Sequence, residues 1–296
     1  MEKLFTGVSA AVTTPFKDNQ VDFESFEKHL QFLKDNNLQA FIINGTTAEA
    51  VTMSEEEKQK ALEIALKIAD GDIPVIAGTG SNSTAASIAA SVAAEELGVD
   101  ALLTITPYYN KTTQAGAIAH FTAIADAVNL PIVLYDVPSR TGMTLSAETV
   151  AELSKHPNIV ALKDATGDLA HLSKMIQLVD EDFAFYSGND DLALPFYATG
   201  GHGLISVTAN AIPKEEQKLF ELAQKDPKKA IEMNNLIFPF VEAMGSDLNP
   251  LPIKAITNYL GFGDYSFRLP LVALEEDNVD HLIAIYKELK EEVDHL

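Results

Sequence analysis

The sequence predicts a (β/α)8 barrel, known as a TIM barrel, followed by a C-terminal helical extension. Two observations lead to this prediction. Short apolar, β-branched runs alternate eight times with longer segments of helical periodicity, and the amino-acid composition does not change along these units in a way that would mark a second domain. Such alternation gives a parallel sheet with crossover helices, and a closed barrel is the economical arrangement of eight such units. The alternative is an open, doubly wound sheet, which normally has a glycine-rich dinucleotide loop after its first strand. Here that position reads Thr13-Thr14-Pro15-Phe16.

Each predicted strand is a short apolar run, and each is followed by a predicted helix. The strands are predicted at Val8–Thr14, Ala40–Gly45, Pro74–Gly78, Ala101–Thr106, Pro131–Tyr135, Ile159–Lys163, Phe183–Ser187 and Gly203–Val207. The helices are predicted near residues 22–36, 54–70, 83–97, 113–128, 146–155, 168–179, 189–198 and 214–224. Two helix starts are well marked, because Ser54 with Glu57 forms a capping box and Ser146 precedes a first turn that contains glutamate.

The C-terminal part of the chain continues without a predicted strand. Helical patterns lie near residues 227–245, 251–260 and 279–292, separated by Asn249-Pro250 and by Gly261-Phe262-Gly263. We therefore predict a barrel over residues 1–224 and a helical extension, packed on that barrel, over residues 225–296.

Composition restricts the classes of function. The chain has 21 lysines and arginines against 43 aspartates and glutamates, a net charge of −22, which argues against a nucleic-acid partner. It has no cysteine, so disulfides and thiolate sites are excluded and a reducing cytoplasm is the expected location. The N-terminus has no signal-peptide pattern and no apolar run reaches membrane-spanning length, so we expect no membrane association.

One lysine stands out against the strand pattern. Ile159-Val160-Ala161-Leu162 is typical of a strand buried on both faces, and Lys163 follows it directly. Burial disfavours the ammonium form of an amine, so a buried lysine can supply the neutral amine that a Schiff-base nucleophile requires. The ordinary alternative is an ammonium group that reaches solvent just past the end of the strand.

The residues that follow the predicted strands help to decide between a reactive and a solvent-exposed Lys163. The C-terminal ends of barrel strands meet at one mouth, so these residues are the expected neighbours of the lysine. These strand ends are rich in hydroxyl groups and carry one amine and one guanidinium: Gly45-Thr46-Thr47-Ala48-Glu49, Gly78-Thr79-Gly80-Ser81-Asn82, Thr106-Pro107-Tyr108-Tyr109-Asn110, Tyr135-Asp136-Val137-Pro138-Ser139-Arg140, Lys163-Asp164 and Ser187-Gly188-Asn189-Asp190. Six of seven histidines fall in predicted helices or connections, so a histidine–carboxylate metal site is not expected. We interpret Gly78-Thr79-Gly80 as a tight turn rather than a phosphate loop.

This set of groups suits carbonyl chemistry. Condensation of Lys163 with a keto acid gives an iminium that acts as an electron sink, so the neighbouring carbon can lose a proton. Tyr135 and Thr46 are placed to shuttle protons, and Arg140 offers a planar fork for a carboxylate. The ordinary alternatives are a packed tyrosine with a satisfied hydroxyl and an arginine in a surface ion pair.

Three motifs lie at the ends of the second, fifth and sixth predicted strands. In their order along the chain they resemble the motifs of the pyruvate-dependent class I aldolases, and most closely those of the dihydrodipicolinate synthases among them. They are Gly45-Thr46-Thr47-Ala48-Glu49, Tyr135-Asp136-Val137-Pro138-Ser139-Arg140-Thr141 and Ala161-Leu162-Lys163-Asp164-Ala165. The resemblance extends from Thr13-Thr14-Pro15-Phe16 to Pro252-Ile253-Lys254 and Leu260-Gly261, over the whole chain.

The resemblance implies a role for each matching residue. Lys163 would form the imine with pyruvate, and Tyr135 would lie over it as the proton-transferring hydroxyl. Thr46 would link Tyr135 to Tyr109, which would reach in from a neighbouring subunit. The residues implied to bind substrate are Thr47 for the pyruvate carboxylate, Arg140 for the carboxylate of L-aspartate-4-semialdehyde, and Gly188 and Ile205 at the pyruvate pocket, Ile205 through its backbone.

The implied reaction is aldol addition of the pyruvate enamine to the semialdehyde, followed by cyclisation and release, on the route to diaminopimelate and lysine. It implies no cofactor other than the covalent imine, no metal, and a homodimer or homotetramer.

The sequence departs from the resemblance at two groups of positions. Ala48 and Ala50 replace a glycine and a serine, and Asp136 stands where the common form has asparagine. Both threonine hydroxyls are retained, so catalysis is expected to persist. The positions matching the lysine feedback site keep only the asparagine, so weak or absent inhibition by L-lysine is expected; they read Ala50, Glu55, Lys58, Asn82 and Ala86.

Two other functions stay open at this point. A related aldolase acting on sialic acid or a keto-deoxy sugar acid would share the lysine and the tyrosine, but Thr46-Thr47 and Arg140 favour a small carboxylated aldehyde. A non-catalytic barrel that binds a keto acid as a regulator would have an unreactive Lys163.

Overall fold

The computed structural model describes residues 3–293, and within them eight parallel strands close into a barrel. The strands are β1 (Gly7–Ala11), β2 (Phe41–Ile43), β3 (Val75–Gly78), β4 (Ala101–Ile105), β5 (Ile132–Asp136), β6 (Ile159–Asp164), β7 (Ala184–Ser187) and β8 (Gly203–Ser206). Strand β1 pairs in parallel with both β8 and β2, which closes the sheet, and the other strands pair in sequence order. The predicted TIM barrel is confirmed, and the open sheet is excluded.

A helix follows each strand. These helices are α1 (Phe23–Asp35), α2 (Glu55–Ala69), α3 (Thr84–Leu97), α4 (Gln114–Ala125), α5 (Ala147–Leu153), α6 (Leu169–Ile176), α7 (Ala193–Thr199) and α8 (Pro213–Lys225). The capping box of Ser54 and Glu57 is formed at the start of α2, and the side chain of Ser146 caps α5. A short helix, Pro138–Thr141, lies between β5 and α5.

The first unit differs from the prediction, since β1 ends at Ala11 rather than at Thr14. The backbone N–H of Thr13 donates to the side chain of Asn210 at 3.1 Å. This bond takes the place of a backbone hydrogen bond to a neighbouring strand. An unpredicted two-stranded hairpin, Phe16–Lys17 with Gln20–Val21, follows. Its turn residues, Asp18 and Asn19, have φ of 49° and 62°, which short polar side chains tolerate in tight hairpin turns.

The core has two parts. Side chains that point into the barrel form one cluster, which includes Tyr135, Tyr186 and Ile205. Those that point outward pack against the surrounding helices in a second, larger cluster. Successive strand residues face opposite sides, so each barrel strand contributes to both clusters.

The C-terminal extension is helical, as predicted. It contains α9 (Pro227–Met244), α10 (Leu251–Tyr259) and α11 (Glu276–Val293), and no strand lies beyond residue 225 in the described part of the chain. Helix α9 packs against α8 of the barrel, and α11 packs against α9, where the rings of Phe240 and Tyr286 meet edge to face. Among residues 3–293, no helix is long and apolar enough to span a membrane.

Candidate functional site

Lys163 and Tyr135 are neighbours at the barrel mouth, near the C-terminal ends of adjacent strands. They are register partners on β6 and β5, and Lys163 Nζ lies 4.3 Å from the centre of the Tyr135 ring. Both are buried, with 6% and 7% of their surfaces exposed, so the lysine does not escape to solvent. Because the strands fix both backbones, the amine and the ring are held together without a flexible loop.

The amine of Lys163 is not neutralised by a carboxylate. Among residues 3–293 it forms neither a hydrogen bond nor an ion pair, and its contact is the face of Tyr135. Gly188, which follows β7, makes room for the lysine stem: a Cβ placed there would lie 3.0 Å from Lys163 Cε and 2.8 Å from Ala165 Cβ. An amine that is buried but unpaired is available to react with a carbonyl group.

Thr46 and Thr47 lie in the loop after β2, which we call the hydroxyl loop and define as residues 44–52. Thr46 is half-buried and Thr47 is buried. Thr47 Oγ1 accepts a hydrogen bond from Asn249 Nδ2 at 3.0 Å. Because this bond occupies a lone pair of the hydroxyl and leaves its proton free, Thr47 can donate to a carboxylate.

Arg140 lies in the short helix Pro138–Thr141 and is exposed. Its Nη2 donates to the backbone carbonyl of Asn249 at 3.1 Å. No ion pair of Arg140 forms within the described residues, so the surface ion pair considered from the sequence is not present. A guanidinium whose charge is not neutralised can bind an anionic substrate group.

Asn249 is a residue of the site that sequence reasoning missed. Its side chain bonds to Thr47 and its backbone to Arg140, so it joins the two groups expected to bind carboxylates. The sequence shows Asn249-Pro250 only as a separator between helices. No local signal marks a contact with a residue 202 positions earlier in the chain.

The remaining predicted residues divide into two groups. Ile205 on β8 lies in the barrel-facing cluster together with Tyr135, and Gly188 adjoins Lys163. Tyr109 is separate: its side chain is 92% exposed and its φ is 68°. Within this chain the structure therefore does not bring Tyr109 to the other site residues.

Two carboxyl groups flank the site on the opposite face of the same strands. Asp136 and Asp164 are register partners one residue beyond Tyr135 and Lys163, so their side chains point away from the lumen. Burial is the main cause that raises the pKa of Asp136 to about 7; the hydrogen bond from the Leu145 N–H opposes this shift, and the nearby Asp164 adds to it. Burial also raises the pKa of Asp164. Below about pH 7 Asp136 is thus neutral, as the asparagine expected at this position would be.

Within residues 3–293, neither a cluster of metal-ligating side chains nor a phosphate loop is formed at the mouth. In the part of the chain that the structure describes, no group of three or more histidine, aspartate or glutamate side chains is arranged to hold a metal ion. Gly78 and Gly80 have negative φ, and a Cβ on them would lie 2.4 Å from Asn44 O and 2.3 Å from Ile105 N. These glycines allow close backbone packing rather than forming a ligand cradle.

Known proteins of one family are similar to this chain over almost its whole length. The profile of the dihydrodipicolinate synthetase family matches residues 4–289. The 4-hydroxy-tetrahydrodipicolinate synthase of Macrococcus caseolyticus is 50% identical over 285 residues, 96% of each chain. That of Staphylococcus carnosus is 50% identical over 292 residues, 98% of this chain and 99% of the other. The crystal structure of the Thermotoga maritima dihydrodipicolinate synthase, at 37% identity, has a TM-score of 0.95 and covers 97% of this chain and 99% of the other.

Proposed function

This chain belongs to the dihydrodipicolinate synthetase family, and we propose that it is a lyase that condenses pyruvate with L-aspartate-4-semialdehyde to give 4-hydroxy-tetrahydrodipicolinate, in diaminopimelate and lysine biosynthesis. The observation that carries the proposal is the amine of Lys163, buried and unpaired 4.3 Å from the ring of Tyr135. That amine can serve as the nucleophile without first losing a carboxylate partner.

The first step is imine formation. The neutral amine of Lys163 attacks the ketone carbon of pyruvate, and loss of water from the carbinolamine gives an iminium. A methyl proton then leaves, and the resulting enamine attacks the aldehyde carbon of the semialdehyde to form the new carbon–carbon bond. Finally the semialdehyde amine attacks the iminium carbon, which closes the ring and frees the lysine.

Proton transfer in these steps is assigned to hydroxyl groups. Tyr135 is assigned the first transfer in this scheme, since its ring contacts the lysine. Thr46 and Tyr109 would continue the relay, with Tyr109 supplied by another subunit. We propose that the reaction proceeds through the covalent imine of Lys163 with pyruvate and requires neither a cofactor nor a metal. Activity should therefore survive a chelator.

Carboxylate binding is assigned to two donors. Thr47 has a hydroxyl proton that its bond with Asn249 leaves free, and we place the pyruvate carboxylate there. Arg140 has no carboxylate partner in the described chain and would take the carboxylate of the semialdehyde. Gly188 and Ile205 would complete the pyruvate pocket. In a chain with a net charge of −22, such local donors must recruit the anions against the overall field.

The direct test traps the imine. Borohydride added with pyruvate should reduce the iminium and leave a stable adduct that peptide mapping locates on Lys163. The Lys163→Ala variant should give no adduct, whereas Lys155→Ala, which alters an exposed lysine paired with Glu152, should label like the wild type. An unmodified Lys163 peptide would leave a keto-acid-binding regulator as the better account. Pyruvate release from N-acetylneuraminate would favour the related sugar-acid aldolase instead.

A homodimer or homotetramer is part of the proposal, because Tyr109 has no role within one chain. Its side chain is 92% exposed, and its backbone has a φ of 68°. If it completes a neighbouring site, Tyr109→Phe should lower kcat by roughly 100-fold or more, the size expected for loss of one proton-transfer group. The thermal unfolding temperature should not change.

Tyr259→Phe provides the control for Tyr109→Phe, since Tyr259 is a half-exposed tyrosine on α10, outside the proposed relay. Equal rates for Tyr109→Phe and the wild type would remove the relay.

Insensitivity to L-lysine is also proposed. Of the positions that match the feedback site, Glu55 and Lys58 form an ion pair of 2.8 Å, so the Glu55 carboxylate is already paired and is not free for the amine of an incoming lysine. Turnover should therefore keep more than half its rate in 1 mM L-lysine, a concentration of the order at which metabolite sites act. Half-inhibition at sub-millimolar lysine would contradict this.

A cytoplasmic location is proposed on the composition, since a chain without cysteine is suited to a reducing compartment.

A further inference from the structure

The C-terminal extension holds the hydroxyl loop at three places, all distant in sequence. The three contacts join Asn249 Nδ2 to Thr47 Oγ1 at 3.0 Å, Lys254 Nζ to Glu49 Oε1 at 2.6 Å, and Arg268 Nη1 to the Thr52 carbonyl at 2.8 Å. The loop that carries the proposed carboxylate donor is therefore positioned by residues of the extension, outside the barrel.

The central contact is a buried ion pair. The side chains of Lys254 and Glu49 are each 2% exposed. Lys254 Nζ also donates to the Ser266 carbonyl at 2.8 Å, and it lies 4.5 Å from the ring centres of both Phe16 and Phe267. The ammonium group is thus enclosed on several sides, so its position fixes that of the Glu49 carboxylate. Removing one partner would leave the other charge buried and unpaired, which is strongly unfavourable.

Glu49 transmits this position to the threonines through its backbone. It has a φ of 55°, in the left-handed region that non-glycine residues occupy at a cost. Its N–H donates to the Thr46 carbonyl at 3.0 Å, and its own carbonyl accepts from the Thr52 N–H at 2.9 Å. Because Glu49 lies two residues beyond Thr47, a shift of Glu49 would rotate the turn that directs the Thr47 hydroxyl.

We propose that Lys254 is a positioning residue for the pyruvate carboxylate, which acts by holding Glu49 and, through it, the turn that carries Thr46 and Thr47. The inference rests on the proposed function, because it assigns a substrate to Thr47. Lys254 itself does not touch the substrate. Its effect is on the binding of the carboxylate rather than on the chemistry at Lys163.

The test measures how borohydride trapping depends on pyruvate concentration. In Lys254→Met, which keeps the apolar stem and removes the charge, the half-maximal pyruvate concentration should rise about tenfold, because a misdirected Thr47 donor costs about one hydrogen bond. The amount trapped at saturating pyruvate should equal that of the wild type, since Lys163 and Tyr135 are unchanged. A general loss of structure would instead lower the saturating amount.

Lys290→Met is the matched control. Lys290 forms an ion pair with Glu215, which also joins the extension to the barrel, but on helices α11 and α8. Its loss should leave the half-maximal concentration unchanged. Glu49→Gln is the second variant, for the case in which Lys254→Met does not fold. It keeps an acceptor for Lys254 and removes the charge, so the half-maximal concentration should rise about threefold or more.

The outcomes are separable. A higher half-maximal concentration in the Lys254 and Glu49 variants, with a normal plateau and a normal Lys290 control, supports the inference. A wild-type concentration dependence in either folded variant overturns it, as does an equal rise in Lys290→Met. If the wild type itself gives no adduct, the proposed function fails before this inference is tested.

Discussion

Gly188→Ala is expected to lower kcat/KM for pyruvate by about 100-fold, the size of effect that a displacement of about 1 Å at a reacting group can have. The new Cβ would lie 3.0 Å from Lys163 Cε and 2.8 Å from Ala165 Cβ. The backbone at Gly188 cannot easily retreat, because its N–H donates to the Asp164 carbonyl at 2.7 Å. The flexible stem of Lys163 must therefore move, and the amine moves with it.

The measurement compares initial rates and borohydride trapping in Gly188→Ala and the wild type, with circular dichroism to confirm the fold. Gly245→Ala is the control, because its Cβ would meet nothing closer than 3.4 Å and its φ is −90°. Adding Ala165→Gly removes the contact with Ala165 but leaves the one with Lys163. If the lysine stem is the cause, the double variant stays slow, and full recovery in it would contradict the explanation.

Glu216→Gln is expected to stabilise the protein increasingly as the pH rises from about 5 to about 8, because the wild type must keep a buried carboxyl group protonated over this range while its unfolded chain ionises. Thr208 Oγ1 lies 2.9 Å from Asp190 Oδ1 and 2.6 Å from Glu216 Oε1. One hydroxyl carries one proton and cannot donate to both carboxylates. Thr208 can therefore donate to only one of the two groups, and the other must be protonated and donate to Thr208.

The electrostatics of the pair identify the protonated group. Burial, and then the nearby Asp190, raise the pKa of Glu216 from 4.5 to about 8. Burial also raises the pKa of Asp190, which is held by Ser206, the Val207 N–H and Thr208. Burial thus opposes ionisation of both groups, and the donors around Asp190 favour its charged form, which assigns the proton to Glu216.

The sign of the pH dependence follows from proton binding. Between pH 4.5 and about 8 the folded protein keeps the Glu216 proton that the unfolded chain releases. The free energy of unfolding therefore falls as the pH rises through this range, by on the order of 5 kcal/mol for this group, since one pKa unit corresponds to about 1.4 kcal/mol. The glutamine variant lacks this loss because its amide does not titrate.

Urea unfolding at pH 5, 7 and 9 measures the effect. The difference between Glu216→Gln and the wild type should be small at pH 5 and should favour the variant increasingly toward pH 9. Glu215→Gln changes the adjacent residue, which pairs with Lys290, and should bring no gain at pH 9. A constant difference at all three pH values would mean that Glu216 is ionised in the folded protein.

The barrel was predictable because its signals are local. Each strand is a short apolar run and each helix has its own periodicity, so the eight units and the three later helices could be placed from neighbouring residues alone. Lys163 stood out for the same reason, since a charged residue next to an apolar strand can be recognised from a short stretch of sequence. The hairpin at Phe16–Val21 was missed because its strands are two residues long.

The contacts that organise the mouth had no such signal. Asn249 meets Thr47 across 202 positions and Lys254 meets Glu49 across 205, and nothing near either residue indicates its partner. The burial of Asp136 and Glu216, which raises their pKa values, is likewise a property of what packs around them. The sequence by itself determined the strands, the helices and the residues at the strand ends, because periodicity and chain direction are local. The tertiary structure alone decided which side chains are paired, which amine stays free and which carboxyl groups keep their protons, because those depend on distances between segments far apart in the chain.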